Sequence, residues 1–304
     1  ATFDNVTYTI TANITGLIVI ERDNVTIDGA GYTLQGTGAP YSRGIDLTGR
    51  SNVTIKKLIT KSFYFGIYLD HSSHNNIFGK TITNNTYCGI ALYDSSSNSI
   101  YGNNLTSNYF GIILSMNCSY NIVTRNIISE NDYGIFLVGE LPTVPIENII
   151  YHNNFIYNKI QAGTSVSGAN IWDDGYPSGG NYWSNYTGVD EKSGPSQDQS
   201  GSDGIDDTAY VIDGSNRDRY PLMGSFNTFD AGTWNNVSYN VDVISNSTIS
   251  GFYFNPDEGS FLRFNVTGES ETAGLCRVTV PKSLLWVEDG WTIHIDDETL
   301  TDYR

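Results

Sequence analysis

Scarcity narrows this 304-residue chain first. It carries 16 Lys plus Arg against 33 Asp plus Glu, a formal net charge of -17. A field of that sign repels nucleic acid and anionic lipid and excludes both as primary partners, while it favours divalent cations. No apolar run approaches the ~20 residues of a membrane-spanning helix, and Ala1 opens directly on polar sequence, so any signal peptide has been removed. No stretch repeats its apolar residues every 3.6 positions, which excludes a helical class and the helical return limb of a leucine-rich repeat. Of the three cysteines, Cys88, Cys118 and Cys276, none has metal-ligand spacing. Cys88 reads as a small buried apolar residue. A Cys88–Cys118 disulfide is not favoured, because the two occupy different coil positions and the odd count leaves a thiol over.

What is present is a repeat. Gly44-Ile45-Asp46-Leu47-Thr48 returns as Gly66-Ile67-Tyr68-Leu69-Asp70, Gly89-Ile90-Ala91-Leu92-Tyr93, Gly111-Ile112-Ile113-Leu114-Ser115 and Gly134-Ile135-Phe136-Leu137-Val138, the glycines 22, 23, 22 and 23 residues apart. A unit this short cannot bury its own apolar face and must stack on a neighbour. Alternation within a strand then puts the Ile and Leu columns inward and the intervening residues outward, where no common chemistry is apparent. Pairs five residues apart, Val53 and Leu58, Ile77 and Ile82, Ile100 and Leu105, Ile122 and Ile127, Ile150 and Phe155, supply a second inward face. Asn, Gly and Ser mark corners, and the glycine before each Ile is assigned a corner with φ > 0. The fold class is all-β: a right-handed parallel β-helix over residues 1–170, capped at its start by an irregular coil through Asn24-Val25-Thr26-Ile27-Asp28-Gly29. Two prolines in Leu141-Pro142-Thr143-Val144-Pro145 break the register, because proline cannot donate to a ladder.

From residue 171 to 224 the chain turns Gly-, Asp- and aromatic-rich: Trp172-Asp173-Asp174-Gly175-Tyr176-Pro177-Ser178-Gly179-Gly180-Asn181-Tyr182-Trp183, then Gly201-Ser202-Asp203-Gly204-Ile205-Asp206-Asp207-Thr208 and Asp218-Arg219-Tyr220-Pro221-Leu222. With the coils before them, these phrases resemble the NosD-like, PbH1-repeat β-helix proteins common on archaeal cell surfaces, over about residues 20 to 290. The resemblance implies that 171–224 closes the helix as an acidic, loop-rich cap. The family more often has Gly where Asp206 stands. Residues 225–304 alternate in short segments, Asn236 to Val243, Thr248 to Phe254, Phe261 to Thr267, Cys276 to Val280 and Trp291 to Ile295, the pattern of a small antiparallel β-sandwich module. If incomplete, that module would leave an edge open to a strand from another subunit.

The strongest chemical signal is the run Asp190, Asp198, Asp203, Asp207, with glycines between, a pattern that gathers hard oxygen ligands for a structural Ca²⁺. The alternative is a solvated acidic loop. The name NosD carries a copper association, but copper needs His, Cys or Met. With His71, His74, His152 and His294 scattered and only two Met, copper is not expected. Asn-x-Ser/Thr acceptors stand at Asn5, Asn13, Asn24, Asn52, Asn84, Asn104, Asn117, Asn185, Asn236, Asn246 and Asn265, pointing to a glycosylated extracellular or cell-surface protein.

Two functional readings remain. A rod of coils rising about 4.8 Å each suits a non-enzymatic, self-assembling envelope, sheath or filament subunit, a homo-oligomer or homopolymer. The other reading is carbohydrate binding or polysaccharide cleavage. For it, outward Asp46 and Asp70 lie one coil apart beside Tyr68, with no Arg or Lys joining them, and Tyr68, Tyr93 and Tyr109 could form a glycan platform. Lys56, Lys57, Lys61 and Lys80 read as solvated on other faces. Two outward carboxylates within about 5 to 10 Å, flanked by a cation in an open groove, would favour the second reading.

Overall fold

The computed structural model describes residues 6–165, 168–256, 261–270, 273–285, 292–296 and 298–300. Among these there is no helix. Residues 1–189 with 206–222 form one compact unit, and residues 190–205 with 223–304 form another.

The first unit is a parallel β-solenoid with three sheets. One runs through strands Val6–Thr9, Val25–Asp28, Thr54–Lys56, Asn76–Phe78, Ser99–Tyr101, Ile122–Thr124 and Ile149–Tyr151. The next contains Ile14–Thr15, Thr33–Gln35, Ile59–Lys61, Thr81–Thr83, Asn104–Thr106, Ile127–Ser129, Asn154–Ile156 and Tyr182–Trp183. The third, with the longest strands, contains Ile18–Val19, Arg43–Asp46, Phe65–Asp70, Cys88–Tyr93, Phe110–Ser115, Tyr133–Val138 and Ile160–Thr164. The Ile and Leu columns face inward as the repeat requires: Ile45, Ile67, Ile90, Ile112 and Ile135 are fully buried, and so are Leu47, Leu69, Leu92, Leu114 and, at 1% exposure, Leu137. Each contributes roughly 1.5–3 kcal/mol by leaving water.

Three expectations are corrected here. The pairs five residues apart do not form one face, because a corner divides them between the first and second sheets. In two coils their register also slips. Val123 and Ile128 pair with Ile100 and Leu105 and are buried, whereas Ile122 is half-buried and Ile127 is exposed. Likewise Ile55 and Thr60 pair with Ile77 and Ile82, and Val53 and Leu58 are buried corner residues. The repeat glycines are strand residues without positive φ. They are needed because a Cβ on Gly44, Gly66, Gly89 or Gly111 would sit 2.5 to 2.7 Å from the carbonyl of the matching glycine one coil on.

The corners use a different device. Residues in left-handed conformation there are mostly not glycine, for example His74, Ser97, Tyr120 and Glu147 at one corner and Asn84, Ser107, Glu130 and Tyr157 at another. Each of these precedes a buried asparagine, and the asparagines stack into three ladders. In the first, the Oδ1 of Asn75, Asn98, Asn121, Asn148, Asn170 and Asn216 accepts the backbone N–H of the ladder residue one coil earlier, beginning with Val53. Asn103, Asn126, Asn153 and Asn181 form the second, and Asn85, Asn108, Asn131 and Asn158 the third. Their amide groups also donate to backbone carbonyls of the earlier coil, as Asn126 does to Ile100 and Asn108 to Ile82. Corner polar groups that the strands leave unpaired are thus satisfied inside the rod, where an orphaned donor would cost about 1–3 kcal/mol.

Lys80 interrupts the second ladder. It is buried rather than solvated, its Nζ and Asn103 Oδ1 lack a hydrogen-bond partner, and burial holds its ammonium well below the ordinary lysine range.

The Trp-rich stretch plugs the stack. Trp183 lies parallel to Phe155 at 4.4 Å and to Tyr210 at 4.2 Å, and Trp172 donates Nε1 to Asn216. Asp218 ends the second ladder, accepting from Asn181 N at 2.7 Å and Trp183 Nε1 at 2.9 Å. Asp173 holds Arg219 through both carboxylate oxygens, at 2.6 and 2.9 Å.

The second unit contains the antiparallel sheets. Ser225–Trp234, Val237–Ser245 and Cys276–Thr279 form one, Thr248–Phe254 with Leu262–Thr267 a hairpin, and Ile293–Ile295 with Glu298–Leu300 another. Ser225–Trp234 was not anticipated, since its apolar residues divide between two faces, Phe226 on one and Phe229 and Ala231 with Val241 and Val243 on the other, and a bulge follows Asp230. Trp291 and Asn5 lie outside the described residues.

The corrected register makes Ile128→Ala cost about 2–5 kcal/mol in urea unfolding, and Ile127→Ala stay within about 0.5 kcal/mol. Similar losses for both would refute the register. Burial raises the Asp218 carboxyl to about 7 despite its hydrogen bonds, so the folded state prefers the protonated form. Its contribution is full below the unfolded value of about 3.9 and fades as pH rises through about 7. The difference in melting temperature between the native protein and Asp218→Asn should therefore shrink or reverse in favour of the variant from pH 4 to pH 8. A difference independent of pH would show that Asp218 does not titrate in that window.

Candidate functional site

The third sheet carries an apolar cluster on its outer face as well as its inner one. Phe65, Tyr68, Cys88, Ala91, Phe110 and Ile113 are buried there, with Tyr64, Tyr87, Tyr93, Tyr133 and Phe136 packed against them. The outward columns that looked chemically mixed are thus a second, external core. Burial pushes the Cys88 thiol far above its ordinary range and Cys118 up to about 11. Both are free thiols held protonated at neutral pH.

Three rings singled out as a glycan platform are part of this packing. The Arg43 guanidinium lies 3.6 Å from the centre of the Tyr68 ring. Tyr93 stands 5.4 Å from Tyr68, and Tyr109 packs edge-on against Phe110 and Tyr133. Tyr109 is exposed and Tyr93 half-buried, while Tyr68 is buried. The three do not share one open surface.

At the margin of this face lies the polar corner. Arg43, expected to be absent from it, pairs with Asp46 at 2.7 Å while covering Tyr68. A cation was overlooked because Arg43 stands three residues before Asp46, a separation that strict alternation assigns to the opposite face; the pairing skips Gly44, and Arg43 comes to the outer face with Asp46. Burial works to raise the Asp46 carboxyl, but Thr48 and Arg43 outweigh it and hold it below the ordinary range. Burial, and then the Asp70 carboxylate, raise the Tyr68 phenol. Asp70 ends its strand, and its Oδ1 lies 2.6 Å from His71 Nδ1. Asp94 joins them from the next coil, immediately after Tyr93, the strand partner of Asp70. One ligand atom from each of Asp70, His71 and Asp94 can be chosen so that all lie within 4.8 Å of one another. Asn117 Nδ2 donates to Asp94 Oδ1 at 2.7 Å and fixes it from the coil beyond. The usable signal was the 23-residue step, which carries His71 to Asp94.

The acidic loop is arranged otherwise. Asp190 accepts the backbone N–H of Asp203 and Gly204, and Asp203 accepts from Gly194, Gln197 and Ile205. Asp198 is exposed, and Asp207 belongs to the other compact unit. Among the described residues, Asp70, His71 and Asp94 are the converging group of three His, Cys or carboxylate ligands. Of the sequon asparagines in the described residues, Asn24 is half-buried and the others are exposed. The ladder asparagines are buried and none is a sequon.

A family model described as "Periplasmic copper-binding protein (NosD)" matches residues 4–188. No curated protein matches the chain. Among solved structures, the A-module of mannuronan C-5 epimerase AlgE6 from Azotobacter vinelandii is similar at 14% identity and a TM-score of 0.45. The match covers 54% of this chain and 49% of that one, about half its length. An alginate lyase from Paenibacillus sp. str. FPU-7 is similar at 14% identity and a TM-score of 0.38, over 59% and 90% of the two chains. ORF18 of Geobacillus virus E2 follows at 11% identity and a TM-score of 0.25, over 88% and 58%.

The family description does not support the expectation that copper is unlikely here. Its donor chemistry can be tested on the corner. One imidazole and two carboxylates form a nitrogen and oxygen set that fits a divalent ion of borderline hardness. They are not the thiolate or thioether set that monovalent copper selects, and the two buried thiols are protonated.

Proposed function

The chain belongs to the NosD family, and on that footing we propose that it is an extracytoplasmic, architectural β-helix of the cell envelope whose third-sheet corner contacts carbohydrate. The observation that carries the reading is the gathering of Arg43, Asp46, Tyr68, Asp70, His71 and Asp94 at one place on the outer surface. Carboxylates, an amide at Asn117 and an imidazole offer the donors and acceptors that sugar hydroxyls need, and the half-buried Tyr93 ring gives an apolar neighbour. A carbohydrate without charge suits the corner better than a polyanion, given the net charge of -17.

The architectural part of the reading rests on the stack itself. Three internal ladders and continuous aliphatic columns make a stiff rod, and stiffness is what an envelope or filament subunit requires. Self-assembly, and N-glycans on the exposed sequons other than Asn117, whose amide is engaged with Asp94, belong to the same proposal and rest on the sequence; the Ca²⁺ expected at Asp190, Asp198, Asp203 and Asp207 is not carried into it, because those carboxylates are divided between the two compact units. A catalytic version is favoured by one feature. Asp70 and Asp94 approach within 4.8 Å, near the roughly 5 Å separation of carboxylates that cleave glycosides with retention.

Co-sedimentation with a panel of neutral and acidic polysaccharides tests the reading, with reducing ends assayed in parallel. The expected result is binding that Tyr93→Ala and Arg43→Ala weaken, without new reducing ends. New ends that disappear in Asp94→Asn would convert the proposal to a polysaccharide-cleaving enzyme. Retention of no polysaccharide would remove carbohydrate from it.

A further inference from the structure

We propose that Asp70, His71 and Asp94 form a binding site for one divalent transition-metal ion of borderline hardness, taking copper(II) more tightly than zinc(II). The family description names copper but places it nowhere; the location comes from the way two coils stack. Asp70 closes the strand Phe65–Asp70, and the chain then turns through His71 in left-handed conformation, φ 50°. One coil on, Tyr93 closes its strand beside Asp70 and Asp94 takes the same turn, φ 44°. Equivalent positions of successive coils are about 4.8 Å apart, which brings Asp94 beside the pair from the coil before, and one ligand atom from each of the three residues lies within 4.8 Å of the others.

Each donor is held, and none is committed to another cation. Asn117 fixes one oxygen of Asp94 and leaves the second available. Asp70 fixes the His71 ring through Nδ1, while the His71 side chain is 73% exposed, so an ion can approach from solvent. Among the described residues neither Asp70 nor Asp94 forms an ion pair with Lys or Arg; Arg43, the nearest such group in the corner, is taken by Asp46 and the Tyr68 ring. Two carboxylates this close repel, and a divalent ion between them removes the repulsion. Imidazole with carboxylate oxygen is a donor set for copper(II) and zinc(II), and the order of divalent affinities places copper(II) first. Three protein ligands on an exposed corner leave coordination positions to water.

This inference does not depend on the carbohydrate reading, and its test uses the ion alone. The full chain is titrated with copper(II) and with zinc(II) by calorimetry, and the copper(II) form is examined by electron paramagnetic resonance for coupling to a single imidazole nitrogen. A single ion should bind, with nitrogen coupling that His71→Ala abolishes. Asp94→Asn should lose binding, and Asn117→Ala, which removes only a supporting hydrogen bond, should weaken it by about 10-fold. His74→Ala, on the neighbouring exposed turn, should bind like the native protein. Circular dichroism confirms that each variant is folded. Native affinity in His71→Ala, equal loss in His74→Ala, or no binding of either ion would overturn the assignment.

Discussion

Every coil of this rod must present to the next the same backbone groups at the same height, and this demand governs the rest. Within the strands, parallel pairing meets it. At the corners the chain turns and strand pairing lapses, so donors and acceptors would be stranded in an apolar interior. Buried asparagines fill the gap, each side chain accepting from one coil and donating to another. A left-handed residue before most of them turns the chain, at a cost of about 1–2 kcal/mol for a non-glycine residue, which the fixed ladder bonds offset. Where the rule is broken, as at Lys80, two polar atoms are left without partners.

The same demand explains how the rod ends and how it acquires chemistry. Asn216 and Asp218 close two of the ladders, and indole rings of Trp172 and Trp183 cover the last apolar layer while donating to those two residues. The aromatic stretch before them therefore has an architectural purpose. On the outside, each column repeats a position from coil to coil, so a reactive group arises where neighbouring members of adjacent columns differ from the apolar norm. Arg43, Asp46, Tyr68, Asp70, His71 and Asp94 come from only three successive coils, and they meet because stacking converts a step of 22 or 23 residues into one strand spacing.

Much of this was legible beforehand. Five Gly-Ile-x-Leu phrases at a near-constant step imply a solenoid, and the inward Ile and Leu columns follow from strand alternation. The corner grammar was harder to read. Asn is common in loops, and sequons hide the ladder residues among exposed ones, so Asn75, Asn98 and Asn121 looked like ordinary turn residues although their spacing matches the repeat. Glycine was assigned to the left-handed corners on propensity, whereas its place is mid-strand, where backbones of adjacent coils approach too closely for a Cβ. The register error at Ile122 and Ile127 arose because Ile-Val and Ile-Ile pairs offer two aliphatic choices, and only pairing with Ile100 and Leu105 selects the second of each.

The amino-acid order by itself determined the class of fold, the coil length and the residues of the third-sheet core, because periodic apolar positions admit few ways of being buried. Only the tertiary structure decided which polar side chains share a place. Arg43 on Tyr68, and the meeting of Asp70, His71 and Asp94, depend on the lateral offset between coils and on side-chain direction at a turn. Neither quantity is fixed by spacing along the chain.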